Sequence, residues 1–128
     1  MTIHYEAVAV AAITAVAFST VWYMALNSFR STKRSGRPAL WKILVELGRS
    51  GLLTYIFAHV LINLHVTTMT DVLRHGFWLW LAFPAILFLG LVVWEGMSWR
   101  DGLVHGGDWM GKILLISIIL SMSAGLAV

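Results

Sequence analysis

The chain contains no cysteine and carries little charge for its length. Without cysteine it has no disulfide, no thiolate nucleophile and no cysteine-bound zinc or iron–sulfur cluster. Charged residues make up 12% of the 128 residues, and the net charge of +3 is too small and too scattered for a nucleic-acid-binding protein. Apolar residues instead make up 59% of the chain, with seven tryptophans. A soluble domain of this size needs more polar surface, so the composition indicates a protein of the lipid bilayer.

Four apolar runs are long enough to cross a membrane. A bilayer core of roughly 30 Å is crossed by about 20 helical residues, and the predicted spans are 7–27, 51–69, 77–96 and 109–128. Residues 39–50 place charges between apolar residues at helical spacing, which predicts an amphipathic helix in the headgroup region or a cytoplasmic extension of the second span. The predicted fold class is all-α: a single membrane domain built as a bundle of four transmembrane helices.

The distribution of positive charge predicts the orientation. Eight of the nine Lys and Arg residues fall in or just beyond the two connections on one side of the predicted membrane, and Arg74 falls on the other. The eight are Arg30, Lys33, Arg34, Arg37, Lys42, Arg49, Arg100 and Lys112. Because cytoplasmic loops are enriched in Lys and Arg, both termini are predicted to lie outside a bacterial cytoplasmic (inner) membrane. The N-terminal residues carry Glu6 and no positive charge, so no cleaved signal peptide is expected.

Small residues recur at intervals of four in the first and fourth spans. Helices in lipid associate through close backbone approach and interhelical hydrogen bonds, because lipid tails are as apolar as leucine. The tightest helix contacts, within one bundle or between subunits, are therefore predicted at Ala11, Ala15, Ser19, Ser117, Ser121 and Gly125. In the third span, Pro84 removes one backbone hydrogen bond and predicts a kink.

Polar side chains inside the spans are the candidates for function, since ionisable groups are costly in the bilayer and mark functional sites. In the second span Tyr55, His59, Asn63 and Thr67 share one helix face, and His59 falls near the middle of the predicted membrane. A neutral histidine bonded to a neighbouring helix is the structural interpretation; a proton- or ligand-handling group is the functional one. The predicted polar seam, within the bundle or at a subunit interface, comprises Tyr23, Asn27, Tyr55, His59, Asn63 and Glu95.

The chain contains no hydrolase or transferase motif, so no catalytic residue is predicted. Four short helices leave little room for an internal site, so a homo-oligomer is expected. The leading hypothesis is a transporter or channel for a small solute, ion or proton. The alternative is a non-catalytic accessory or scaffold subunit of a membrane complex, in which the polar groups hold helices together.

A haem- or metal-binding redox protein is a third hypothesis. Haem needs two facing histidines, and this chain offers none opposite His59. The histidines His4, His65 and His75 collect near Asp71 without a tight ligand spacing. No cofactor and no metal ligand are therefore predicted, and the expected surroundings are the lipid bilayer and a second copy of the chain.

Several segments together resemble one protein family. They are Val21, Trp22 and Tyr23 at the end of the first span, GFWLWLAF at 76–83, and the stretch 94–121 in which Glu95 closes the third span. They resemble DUF1761, a family of small bacterial and fungal membrane proteins of unknown function. Family members commonly carry a glycine shortly before the Trp–Tyr pair, where this chain has Ser19 and Thr20. The resemblance implies a four-span fold and assigns no activity.

Overall fold

A computed structural model describes residues 2–33 and 36–128. It contains four long helices: α1 (Tyr5–Leu26), α2 (Leu40–Asn63), α3 (Met69–Trp94) and α4 (Trp99–Ser123). All four are long and apolar enough to cross a membrane. The predicted all-helical, four-span fold is thereby confirmed. Arg34, one of the positive charges used to predict orientation, lies outside the described residues.

All four helices begin earlier than the apolar runs, and α3 and α4 do so because polar residues cap their first turns. Residues 40–50 form the first turns of α2, continuous with the rest of that helix. At the start of α3, the Thr68 hydroxyl accepts a hydrogen bond from the Asp71 backbone N–H at 3.2 Å. At the start of α4, the Ser98 hydroxyl accepts one from the Asp101 backbone N–H at 3.1 Å. Such caps satisfy donors that the first helical turn leaves free, so hydropathy placed both helix starts too late.

The four helices are not buried equally. In the most apolar window of each helix, 44% of the α4 residues are buried, against 22% in α1 and α2 and 11% in α3. Helix α4 packs against both α1 and α3, while α2 packs mainly against α1. Helix α4 therefore lies at the centre of the bundle, and its neighbours bury most of its polar residues.

An apolar core fills the half of the bundle that contains the N-terminal part of α1. Its fully buried members include Ala11 and Ala15 of α1, Leu61 of α2 and Val72 of α3. Ser117 and Ser121 of α4 are also fully buried, and their hydroxyls donate to backbone carbonyls one turn earlier in the same helix. These hydroxyls satisfy their hydrogen bonds within α4, so the small residues contribute close packing.

Gly125 has a role different from the predicted one. It follows the end of α4 with φ +67°, and a Cβ added there would meet nothing within 4 Å. The next residue, Leu126, donates its backbone N–H to the Ser121 carbonyl at 3.0 Å, which closes the helix end. Gly125 therefore does not pack against a helix of the same bundle. It supplies the left-handed turn that glycine adopts at helix C-termini.

Pro84 lies in a π-helical turn, Leu81–Ala85, within α3. Proline has no backbone N–H to donate, and in a regular α-helix its ring clashes with the backbone carbonyl one turn earlier. The wider π-helical turn relieves that clash without ending the helix, and single π-helical turns of this kind occur within α-helices.

Candidate polar site

The residues of the predicted polar seam do not lie together in the structure. Tyr55, His59 and Asn63 lie on the outward face of α2, all exposed in the isolated chain. The Tyr55 and His59 rings contact each other edge to face, with centroids 4.5 Å apart. Because α2 ends at Asn63, His59 lies one helical turn from the helix end. These three residues therefore do not form a seam inside the bundle. A seam at a subunit interface stays a prediction, as does the mid-membrane position of His59.

The other seam residues are also dispersed. Tyr23 is half-buried inside the bundle, against α4. Asn27 is half-buried at the C-terminal end of α1, and Glu95 is exposed at the C-terminal end of α3. Of the six predicted residues, Tyr23 belongs to the polar group described next.

The most deeply buried ion pair joins Asp108 and Lys112, one helical turn apart in α4. Their side chains are 2% and 3% exposed, and Lys112 Nζ lies 3.1 Å from Asp108 Oδ2. Lys112 Nζ is also 3.5 Å from Glu46 Oε2, which comes from α2. On the other side, the Ser19 hydroxyl of α1 donates to Asp108 Oδ1 at 2.5 Å. Three helices thus meet at one carboxylate and one ammonium group.

Tyr23 extends this group to a histidine. Its hydroxyl lies 2.6 Å from His105 Nδ1 and donates to Asp108 Oδ2 at 3.4 Å. The His105 ring stacks on Phe88 of α3, with ring centroids 5.5 Å apart. We call the connected set the polar network: Ser19, Tyr23, Glu46, His105, Asp108 and Lys112. Each consecutive contact in it falls between 2.5 and 3.5 Å.

Lys112 was expected just beyond a connecting loop, but the residues that precede it belong to α4, which begins at Trp99. Hydropathy reads Asp108 and Lys112 as the boundary of an apolar run, whereas α4 continues through them. Lys112 reaches the ion pair because its long apolar stem follows the helix while its ammonium group turns back toward Asp108. A matching signal was present: Ser19 and Tyr23 in α1 have the same spacing of four as Asp108 and Lys112.

Glycines bring α1 close enough to α4 for these contacts. A Cβ at Gly107 would lie 2.5 Å from the Trp22 ring, and a Cβ at Gly111 would overlap the Phe18 ring. The Trp22 indole N–H also donates to the Val104 carbonyl at 2.8 Å. The aromatic rings of α1 therefore rest directly on the α4 backbone, and this fixes the position of Ser19 and Tyr23 beside Asp108.

A second tryptophan holds the opposite side of α4. The Trp80 indole N–H of α3 donates to the Gly106 carbonyl at 2.8 Å. Trp80 lies eleven residues after Met69, where α3 begins, and its indole forms a contact between α3 and α4.

A second acidic residue lies at the start of α4. Asp101 is buried, and its carboxylate accepts backbone N–H bonds from Ser31 at 2.9 Å and Thr32 at 3.3 Å. Arg30 is 5% exposed, with its Nε 4.0 Å from Asp101 Oδ1. Its guanidinium lies 5.1 Å from the centre of the Tyr23 ring. The loop after α1 is thus attached to α4 next to the polar network.

The buried polar face of α2 was also missed. Ser50 and Thr54 are fully buried and follow Glu46 at intervals of four. This face differs by one residue from the predicted Tyr55–His59–Asn63 face, a rotation of about 100° around the helix.

Within the part of the chain that the structure describes, no group of three or more His, Asp or Glu residues is arranged to hold a metal ion.

Comparison with known proteins gives one match. A family model described as "Protein of unknown function (DUF1761)" matches residues 6–121, which is nearly the whole chain. Searches of curated proteins and of solved structures found no match.

Proposed function

Since the chain belongs to the DUF1761 family, whose description assigns no activity, we propose from the polar network that this membrane protein moves protons. The observation that carries the proposal is the environment of Asp108. This carboxylate is 1% exposed and contacts a hydroxyl, an ammonium group and a tyrosine that itself contacts a histidine. Ionisable groups buried in membrane helices commonly form proton relays.

The spacing within the network favours a proton over a larger substrate. Neighbouring groups are in direct contact, at 2.5 to 3.5 Å, which leaves no gap for a solute between them. A proton needs only hydrogen-bonded groups that can gain and release it. Glu46 is 36% exposed and offers an entry from the surface, and the Tyr23 hydroxyl, 2.6 Å from His105 Nδ1, connects Asp108 to a histidine. The proposed activity is proton transfer, alone or coupled to a solute.

We propose the following setting for this activity, supported by the distribution of charge. The protein lies in a bacterial cytoplasmic membrane with both termini outside, because the exposed Lys33, Arg37, Lys42 and Arg100 fall in or beside the two connections on one side. Accessibility of single cysteines placed at residues 2 and 36, to a reagent that does not cross membranes, tests it. Labelling in intact cells is expected at residue 2 and absent at residue 36; the reverse pattern contradicts the orientation.

A homo-oligomer is part of the proposal. The exposed Tyr55 and His59 lie on the lipid-facing side of α2, and polar groups there are more stable when a second helix provides hydrogen bonds. Cross-linking in membranes with His59 replaced by cysteine is expected to give a dimer band. Met24→Cys, at an exposed position of α1, is the matched control. The absence of a dimer band for the His59→Cys protein contradicts an interface at this face.

Proton flux into liposomes tests the function. Purified protein is reconstituted with a pH-sensitive dye inside, and a membrane potential is imposed with potassium and valinomycin. Wild-type protein is expected to acidify the lumen faster than empty liposomes, and Asp108→Asn to slow this by roughly tenfold or more. The matched control is Asp71→Asn, which removes the exposed carboxylate paired with Arg74 and should leave the flux unchanged.

Two results would refute the proposal: equal flux in wild-type and empty liposomes, or equal flux in wild-type and Asp108→Asn protein. The first, with the bundle intact, would favour the accessory or scaffold function, in which the network only holds helices together. Circular dichroism and gel filtration establish that each variant folds. If Asp108→Asn does not fold, Ser19→Ala replaces it, since this change removes the 2.5 Å hydrogen bond to Asp108 and little volume.

A further inference from the structure

Arg30 is a buried cation that the polar network does not use. It follows the end of α1, and its side chain is 5% exposed. Its Nε and Nη1 atoms are buried and have no hydrogen-bond partner among the described residues. A guanidinium cannot lose its charge in a protein, and buried donors without acceptors are destabilising. The side chain therefore has unmet capacity to bind an acceptor.

Asp101 does not fill that capacity. Its nearer oxygen is 4.0 Å from Arg30 Nε, which is too far for a hydrogen bond. The two carboxylate oxygens already accept the backbone N–H groups of Ser31 and Thr32. The Tyr23 ring, 5.1 Å away, stabilises the charge but accepts no strong hydrogen bond. Asp101 partly balances the charge of Arg30 and leaves its donors unpaired.

We propose that Arg30 binds a phosphate-type oxyanion, either a lipid headgroup phosphate or free phosphate. The planar guanidinium presents paired N–H groups that match two oxygens of such an anion. Lys33 is close to Arg30 in sequence and Arg100 lies beside Phe29, and these two exposed cations add positive charge near Arg30. The residues that follow Arg30, Ser31 to Lys33, are exposed, so an anion reaches the guanidinium by displacing this loop and no packed helix. The site holds whether or not the protein moves protons.

Thermal unfolding in a maltoside detergent, which contains no phosphate, tests the proposal. One arm titrates inorganic phosphate against chloride at equal ionic strength. The other titrates short-chain phosphatidylglycerol against a diacylglycerol of equal chain length. An increase in the unfolding temperature in either arm supports the site, and the arm that responds identifies the source of the phosphate. No increase in either arm overturns it.

Three variants connect the response to Arg30. Arg30→Gln should abolish the increase, while the exposed control Arg74→Gln should keep it. An equal increase in Arg30→Gln and wild-type protein overturns the assignment. Asp101→Asn removes the negative charge 4.0 Å from Arg30 and should tighten anion binding by about tenfold. That gain keeps the test decisive if Arg30→Gln does not fold, since unchanged or weaker binding by Asp101→Asn also contradicts the proposal.

Discussion

Replacing Lys112 with methionine is expected to destabilise the bundle more than replacing Asp108 with asparagine. Among the described residues, Lys112 is the cation within ion-pair distance of Asp108, at 3.1 Å. Lys112→Met therefore leaves a carboxylate that is 1% exposed without a counter-charge. Removing one partner of a buried ion pair costs about 3–5 kcal/mol of unfolding free energy.

The opposite replacement leaves the remaining charge paired. In Asp108→Asn, Lys112 keeps Glu46 at 3.5 Å, and Glu46 is partly exposed to solvent. The new amide can still accept the Ser19 hydrogen bond, so the expected cost is about 1–3 kcal/mol, near that of one altered buried polar group. The double variant Asp108→Asn/Lys112→Met should be more stable than the sum of the two changes predicts, with a coupling of about 2 kcal/mol.

The assay is unfolding of detergent-solubilised protein by titration with a denaturing detergent, followed by far-ultraviolet circular dichroism. The exposed pair Asp71 and Arg74 provides the matched control, with an expected coupling below about 1 kcal/mol. Two results would contradict the inference that Lys112 is the counter-charge of the buried Asp108 carboxylate. They are strictly additive unfolding free energies of the two α4 changes, and a larger cost for Asp108→Asn than for Lys112→Met.

Two further changes test the packing and the helix start. Gly111→Ala pushes a methyl group into the Phe18 ring, whereas the new methyl group of the control Gly48→Ala meets nothing within 4 Å. Gly111→Ala should therefore destabilise the protein by about 1–3 kcal/mol relative to Gly48→Ala. Equal unfolding free energies of the two variants would contradict the close approach of α1 to α4. Ser98→Ala removes the acceptor of the Asp101 N–H and should cost about 1 kcal/mol in the same assay, and an unchanged stability would show that this cap contributes nothing.

The four-helix fold could be predicted because runs of about 20 apolar residues have few alternatives in lipid. The helix starts were less predictable. Thr68 and Ser98 each precede an aspartate by three residues, a capping pattern that begins a helix in polar sequence. Hydropathy does not register this pattern, and for that reason it placed α3 and α4 too late.

The inward faces could not be read from one helix at a time. In α2, the exposed Tyr55 and His59 and the buried Ser50 and Thr54 both repeat every four residues. In a water-soluble protein, the more hydrophobic of two such faces would be buried. In lipid an apolar face does not identify the interior, because the surroundings of the bundle are equally apolar. The inward face of α2 packs on α1, where a Cβ added at Gly51 would lie 3.9 Å from Ala12 Cβ.

The ion pair escaped prediction for a related reason. Asp108 and Lys112 appear in the sequence as charges that end a span, and their mutual spacing of four is also common on exposed helices. Only the contact with Ser19 and Tyr23 of α1 shows that the pair lies inside the bundle. Long-range contacts of this kind depend on how the helices pack, which local sequence does not specify.

Gain and release of a proton by Asp108, as proposed for the polar network, can be measured directly. Infrared difference spectra of reconstituted protein are recorded as the pH is lowered. Wild-type and Asp71→Asn protein are expected to gain the carbonyl band of a protonated, buried carboxylic acid, and Asp108→Asn protein is expected to lack it. The same band in Asp108→Asn protein, or no such band in wild-type protein, would contradict the proposal that Asp108 takes part in proton transfer.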